Sequence, residues 1–269
     1  MADGRSVLVD PGNASVGADV SENVLVLIPD RDSPPKKDWS GAFRPGADLM
    51  EKHLHATVHE IEVPTVDPIR LTITSADKQR LYEQAARDVL EEIEQGGWTR
   101  IVFCCHGWST GLQLGLRTNK ERGGDVGNWT RFVGALRKCT GLRSVTLFAC
   151  SAGDAPGSSK SAHGNGVGSL ASELAHLAAV PVLAHTTAGH ATRNPDLIHF
   201  TADGTGEVPF ERGTAGYRHA CRHLLVRKSP TGKAVPPPPP KGSTMPAWCS
   251  LVLCSTVDEV RALLASEPG

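Results

Sequence analysis

The chain has 269 residues, 39% of them hydrophobic, and a net charge of −1 at neutral pH. This near-balance argues against the strongly basic surfaces that bind nucleic acids or anionic membranes. No apolar run approaches the ~18 residues of a membrane span, and the first residues are too polar for a secretory signal. Seven cysteines, an odd number, do not make a disulfide framework in a chain of this length. We therefore expect a cytoplasmic protein with reduced thiols, no membrane span and no nucleic-acid partner.

Apolar runs and stretches of helical spacing alternate along the chain. Strands are predicted at Asn23–Pro29, His59–Pro64, Ile101–Cys105, Val145–Phe148, Val180–His185 and Leu197–Thr201, with a hairpin partner near Glu207–Phe210. Helices are predicted at Ala47–Ala56, Lys78–Gln95, Asn128–Lys138 and Ser169–Ala179. This alternation predicts an α/β fold, a three-layer α/β/α sandwich with a mostly parallel six-stranded sheet. The first, third and fourth strands are the most continuously apolar, so we expect them at its centre.

Composition divides the chain into a flexible N-terminal tail (1–20), the α/β domain (21–228), a proline-rich linker (229–246) and a C-terminal segment (247–269). The linker contains five consecutive prolines, Pro236–Pro240, which favour an extended polyproline II spacer. Beyond it the pattern predicts a strand at Trp248–Cys254 and a short helix at Asp258–Leu264. We expect this segment to fold back over a sheet edge; a peptide-binding element or a separate module are the alternatives.

Two predicted strands run into small-residue turns, and each turn carries a reactive side chain. His106 follows the third strand and Cys150 follows the fourth. Catalytic groups collect at the carboxyl ends of parallel strands, so we expect these side chains to lie close together. Only a small fraction of an ordinary thiol is ionised at neutral pH, and a cysteine that attacks an amide therefore needs a base. The sequence predicts Cys150 as a nucleophile, His106 as its base, and no cofactor.

The order of elements, with His106-Gly107 after the third strand and Ala149-Cys150 after the fourth, resembles the caspase-like cysteine peptidases of the caspase–hemoglobinase fold. That group includes metacaspases and bacterial caspase-like proteins, and the resemblance covers about residues 23–201. It implies a thiol protease that hydrolyses peptide bonds of protein or peptide substrates through a Cys-His dyad. It also implies an oxyanion hole made by the amides of Gly107 and Cys150. Glycine suits this position because no Cβ blocks the approaching substrate carbonyl.

The resemblance also places the first substrate pocket between three loops. Its candidate residues are Asp30, Arg31, Asp32, Thr186, Thr187 and His190. Many relatives carry an acidic residue near the cysteine, whereas this chain has Phe148-Ala149 before Cys150. Because the first loop contains charges of both signs, the sequence does not choose a cleavage-site residue.

Other interpretations use the same segments. The stretch from Ala149 to Gly153 is a degenerate nucleophile elbow with Ser151 at its centre, which would suit an α/β-hydrolase-type serine esterase. Its acid and base would come from Asp196 or Asp203 and from His219 or His223. A zinc site would draw on His163, His176, His185, His190 and His199, but their spacing matches no metal motif, so no metal is predicted.

A catalytically inactive caspase-like interaction protein is a further alternative, although both candidate catalytic residues are present. An active peptidase with an exposed thiolate needs control. Segments 108–127, 153–168 and 229–243 are long enough to act as gates or cleavage sites. We therefore expect activity regulated by autocleavage, by oligomerisation or by a regulatory protein partner.

Overall fold

The structure is a computed structural model. It describes residues 22–30, 43–63, 75–118, 126–154, 168–187, 194–224, 227–228, 234–235 and 243–265. Several predictions fall outside these residues: the N-terminal tail, the proline run Pro236–Pro240, Arg31, Asp32, His163, His190, and parts of the three segments expected to act as gates.

Strands and helices alternate as the sequence predicts. The strands are β1 (Val24–Pro29), β2 (Thr57–Ile61), β3 (Arg100–Cys104), β4 (Gly107–Trp108), β5 (Gly111–Leu112), β6 (Ser144–Phe148), β7 (Val182–His185), β8 (Leu197–Phe200), β9 (Gly206–Glu207), β10 (Arg227–Lys228) and β11 (Ala234–Val235). The helices are α1 (Arg44–Leu54), α2 (Ser75–Glu94), α3 (Val126–Lys138), α4 (Leu170–Ala178), α5 (Ala215–Leu224), α6 (Ala247–Ser250) and α7 (Val257–Ala265), with a 3-10 turn at Leu251–Leu253.

The main sheet has the strand order β2-β1-β3-β6-β7-β8-β9. The pairs from β2 through β7 are parallel, and β8 and β9 continue the sheet in antiparallel pairing. The three most apolar strands, β1, β3 and β6, lie next to one another inside the sheet, as predicted. The six-stranded prediction is wrong because the hairpin partner, β9, joins the main sheet as a seventh strand.

Helices cover both faces of the sheet, which makes the fold an α/β sandwich. One core joins Phe103 of β3 to Leu90 of α2 and Phe132 of α3. The other core joins Phe148 of β6 to Met50 of α1 and to residues of α5, α6 and α7. Alternate side chains of each strand point to opposite faces, so fully apolar strands supply both cores.

The C-terminal segment is helical, so the predicted strand at Trp248–Cys254 is wrong. Residues 247–250 form α6 and residues 251–253 form the 3-10 turn. A short run of buried apolar residues has no periodicity that separates a strand from a helix. Nearly every residue of this run is buried, which removes the alternation that would have distinguished the two.

This segment also packs against a face of the sheet, whereas we had expected it to cover an edge. The indole of Trp248 is 1% exposed and lies 6.1 Å from the ring of Phe148, centroid to centroid. At the amino end of β3, the Arg100 guanidinium donates to the hydroxyl of Ser255 at 2.7 Å. Residues 247–265 are therefore an integral part of the second helical layer.

Helix α5 was not predicted from the sequence. Only Ala220, His223 and Leu224 of its residues are buried, and the helix contains several histidines and arginines. Its apolar stripe is thus too narrow to produce a clear helical pattern. Among the described residues, no helix is long and apolar enough to cross a membrane.

Replacing Trp248 with alanine is expected to lower the free energy of unfolding by about 3–5 kcal/mol, because the cavity left in the second core cannot fully collapse. Urea unfolding followed by circular dichroism measures the change. Leu177→Ala is the matched control, since Leu177 is 37% exposed and its truncation should cost less than about 0.5 kcal/mol. Equal losses in both variants would contradict the packing of the C-terminal segment.

Candidate functional site

The register of two parallel strands positions the candidate nucleophile and base. Cys104 of β3 pairs with Phe148 of β6. His106 and Cys150 each lie two residues beyond this pair, after adjacent strands and at the same end of the sheet. Both residues are partly exposed, so solvent and a substrate can reach this edge.

Strand alternation also predicts that the two side chains share one side of the sheet. Cys104 and Phe148 belong to the core that contains α1 and the C-terminal helices, and Cys105 and Ala149 belong to the opposite core. Continued for two more residues beyond the strands, the same alternation predicts His106 and Cys150 on the side of Cys104 and Phe148. The imidazole of His106 lies on that side, because its ring meets the ring of Phe43 edge-to-face at 5.0 Å.

Gly107 lies in close contact with the chain that carries Cys150. A β-carbon added to Gly107 would lie 2.7 Å from the Cβ of Ala149 and 3.2 Å from the carbonyl oxygen of Cys150. Any larger residue would force the two strand ends apart. Gly107 therefore allows the turns of His106 and Cys150 to approach each other. This close packing is by itself a sufficient reason for glycine at position 107.

A short hairpin, β4 with β5, follows His106. The His106 amide donates to the side-chain oxygen of Gln113 at 3.2 Å, and the Gln113 amide donates back to the His106 carbonyl at 2.9 Å. The hairpin also reaches α4, because the Leu170 amide donates to the Ser109 carbonyl at 2.9 Å. These bonds hold the backbone of His106 on both sides of the residue.

The turn after Cys150 has a left-handed residue at Ser151, where φ is 53°. This conformation is uncommon outside glycine, asparagine and aspartate and persists only where the surroundings hold it. The Ser151 amide donates to the carbonyl of Thr187 at 3.2 Å, and the Gly153 amide donates to the carbonyl of His185 at 2.9 Å. The turn is thus attached to the end of β7.

A buried carboxylate lies behind this turn. The side chain of Asp196 is 8% exposed and is paired with the guanidinium of Arg212. It also accepts from the hydroxyls of Tyr217 at 2.7 Å and Thr187 at 2.9 Å. Burial alone would raise the pKa of Asp196, but the hydrogen bonds from Arg212, Tyr217 and Thr187 lower it below its ordinary value. Asp196 therefore stays ionised.

His185 is a fully buried imidazole at the end of β7. Its ring packs against Phe148 at 5.6 Å, and neither ring nitrogen has a hydrogen-bond partner among the residues that the structure describes. Burial lowers the pKa of His185 to about 4, although the nearby charge of Asp196 acts in the opposite direction. His185 is thus neutral near pH 7.

The seven cysteines differ in their surroundings. Only Cys150 and Cys221 are partly exposed, and Cys104, Cys105, Cys139, Cys249 and Cys254 are buried. Burial raises the pKa of Cys221, Cys139 and Cys104, and it raises the pKa of Cys249 and Cys254 to about 12. Most of the other thiols are therefore held in the protonated, unreactive form.

Several residues named for the alternative functions have other partners in the structure. The Asp203 carboxylate is hydrogen-bonded within its own turn, to Thr201 at 2.5 Å and to the Thr205 amide at 2.9 Å. The rings of His219 and His223 lie on α5, edge-to-face at 5.6 Å. His176 contacts the Asp203 carbonyl at 3.1 Å, and His199 contacts the Ser255 carbonyl at 3.0 Å. Among the described residues, histidines, cysteines and carboxylates do not form a metal-binding group.

No sequence pattern indicates Phe43, Arg212 or Tyr217 as residues near the candidate site. Phe43 directly precedes α1 and contacts His106 from outside the sheet. Arg212, in the loop before α5, and Tyr217, on α5, both bind Asp196. Each lies far along the chain from the residue it contacts, and α5 itself was not predicted. Comparison of the chain with protein-family models, curated proteins and solved structures found no match.

Replacing His185 with leucine is expected to reduce the loss of stability below pH 6.5. The imidazole titrates near 6.5 when unfolded and near 4 when folded. Between these values the unfolded chain binds the extra proton, so the wild type loses on the order of 3 kcal/mol as the pH falls, and the variant does not. Urea unfolding at intervals from pH 7.5 to 4 measures the difference. Parallel stability curves would show that His185 does not titrate as its burial requires.

Proposed function

We propose that the protein is a cysteine endopeptidase of the caspase-like kind, with Cys150 as nucleophile and His106 as base. One observation supports this proposal: the in-register ends of β3 and β6 are followed, two residues on, by the partly exposed residues His106 and Cys150 at the same end of one sheet. A rigid sheet holds two such groups within reach of one carbonyl, which is what positioning in catalysis needs.

In the proposed reaction, His106 takes the proton of the Cys150 thiol as the sulfur attacks the carbonyl carbon of the scissile peptide bond. The C–N bond then breaks, and the imidazolium gives its proton to the departing amine. A thioester on Cys150 remains. Water, deprotonated by His106, adds to the thioester, the C–S bond breaks, and the released thiolate takes back the proton.

Backbone amides would stabilise the oxyanion of each tetrahedral intermediate. We assign this role to the amides of Gly107 and Cys150. These residues lie in the two strand-end turns that pack closely against each other because Gly107 has no side chain. Such donors are effective because they are fixed before the reaction begins. The contact with Phe43 adds orientation of the His106 ring, and it restricts the imidazole to the side on which Cys150 is expected.

Cleavage of a peptide library is expected to disappear in Cys150→Ala and in His106→Ala. Nucleophile and base act as a unit, so each substitution should reduce turnover by at least about 10³-fold, nearly as much as both together. Mass spectrometry of the products measures the loss and the residue preference. Cys221→Ala, at the other partly exposed cysteine, should cleave like the wild type. Full turnover by Cys150→Ala would exclude the proposed mechanism.

Iodoacetamide at pH 7.5 is expected to label Cys150 before any other cysteine, because burial protects most of the other thiols or holds them protonated. Peptide mapping after short exposures measures the order of labelling. His106→Ala should slow the labelling of Cys150 by about 10-fold or more, since the base then no longer assists ionisation. An inactive scaffold would show labelling of Cys150 that is independent of His106.

A serine esterase centred on Ser151 is the second candidate, and the left-handed φ of Ser151 favours it. A nucleophile elbow places its serine on a strained turn between a strand and a helix. The carboxylate of Asp196, however, is already occupied by Arg212, Tyr217 and Thr187. Ser151→Gly separates the two candidates, because glycine accepts φ 53° without a hydroxyl. Peptidase activity should survive this change, whereas an esterase would lose its activity and its labelling by a fluorophosphonate.

A further inference from the structure

A chain of hydrogen bonds connects the turn of Cys150 to the buried carboxylate of Asp196. The Ser151 amide donates to the Thr187 carbonyl at 3.2 Å. The Thr187 hydroxyl donates to Asp196 at 2.9 Å and lies 3.2 Å from the side-chain oxygen of Asn194. The Asn194 side-chain amide returns a bond to the Thr187 carbonyl at 2.9 Å. Thr187 is therefore fixed through both its backbone and its side chain.

Asp196 is itself fixed from the opposite side. The Arg212 guanidinium binds both carboxylate oxygens, with one N–O distance of 2.8 Å, and the Tyr217 hydroxyl donates to the carboxylate at 2.7 Å. The backbone carbonyl of Asp196 also accepts from the Thr186 amide at 3.0 Å. A buried carboxylate with this many charge-assisted bonds is a rigid anchor, and removal of its charge weakens its bonds to the exposed Arg212 guanidinium and to the Tyr217 hydroxyl.

The turn that these bonds hold needs external support. Ser151 adopts a left-handed backbone that costs on the order of 1 kcal/mol, and it directly follows Cys150. If Thr187 moves, the Ser151 amide loses its acceptor and the turn relaxes toward commoner backbone angles. Relaxation at residue 151 rotates the peptide that joins it to Cys150, so the thiol would leave its place beside His106.

We propose that Asp196 is a positioning residue for the Cys150 nucleophile and acts through Thr187. The inference rests on the proposed role of Cys150. In this scheme the contribution of Asp196 is the placement of the turn that follows Cys150. Asp196 therefore belongs to the site as its support, in a different role from the acid that a Ser151 esterase would require.

Four variants test the chain of hydrogen bonds that runs from Asp196 through Thr187 to Ser151. Asp196→Asn removes the anchoring charge, Thr187→Val removes the hydroxyl but keeps the shape, and Thr187→Ser keeps the hydroxyl. The control is Glu22→Gln, because Glu22 is the comparable carboxylate at the opposite edge of the sheet, bound by Thr99 at 2.7 Å and by Arg143 at 3.0 Å. Each variant is measured for melting temperature, for the rate of Cys150 alkylation by iodoacetamide, and for kcat and KM on a cleaved peptide.

We expect Asp196→Asn and Thr187→Val to slow Cys150 alkylation and to lower kcat, each by about 10-fold, with KM nearly unchanged. Thr187→Ser should restore both rates. Glu22→Gln should lower the melting temperature while it leaves alkylation and kcat at their wild-type values. A comparable slowing in Glu22→Gln, or wild-type rates in Thr187→Val, would overturn the inference.

The two proposals fail in different ways. If Cys150→Ala still cleaves peptides, the proposed function fails, whatever the variants at Asp196 and Thr187 show. If cleavage depends on Cys150 but Thr187→Val matches Thr187→Ser in rate, only the positioning role of Asp196 fails. Should Asp196→Asn not fold, the pair of Thr187 variants decides the outcome, because both keep the ion pair between Asp196 and Arg212.

Discussion

The parallel pairing of β3 with β6 is the constraint on which the candidate site depends. A slip of one residue in this pairing would turn a whole strand over, because side chains alternate between the two faces. Phe103 and Leu147 occupy one core while Cys104 and Phe148 occupy the other, so a slip would drive large apolar side chains out of both cores. The burial that stabilises the sheet therefore also brings His106 and Cys150 to equivalent positions.

Ion pairs lie at both edges of this sheet, each with at least one buried side chain. At the amino edge, Glu22 binds Arg100 and Arg143, and Arg100 in turn binds Ser144. At the carboxyl edge, Asp196 binds Arg212. Burying a charge is costly unless it is paired and hydrogen-bonded, and Asp196, the more buried of the two carboxylates, meets that condition. Such pairs fix geometry more reliably than they add stability. Their positions at the two ends of the strands suit them to holding the loops that emerge there.

The sequence predicted the parts of the structure that repeat a simple pattern. The parallel core strands and the amphipathic helix α2 have strong periodicity, and the two strand-end turns follow from their small residues. The helical C-terminal segment could not be predicted, because most residues from Trp248 to Val252 are buried and the run has no helical or strand period. Asp196 was considered only as a possible acid for Ser151. Its partner Arg212 lies just before α5 and its partner Tyr217 lies on α5, a helix with a weak apolar stripe. Nothing in the local sequence therefore indicated that these residues bind Asp196. Long-range polar contacts of this kind depend on the folded topology.

The C-terminal segment packs against β6, the strand that precedes Cys150. Trp248 packs edge-to-face against Phe148, and Phe148 packs at a tilt against His185, so three rings from α6, β6 and β7 form one continuous cluster. Close-packed interiors transmit small displacements because they contain little free volume. A shift of α6 would move Phe148, and Cys150 follows Phe148 by only two residues. His185 also supplies the carbonyl that binds Gly153 in the turn after Cys150. The geometry of the thiol thus depends on the second helical layer as much as on the loops around it, and the last residues of the described chain are part of its support.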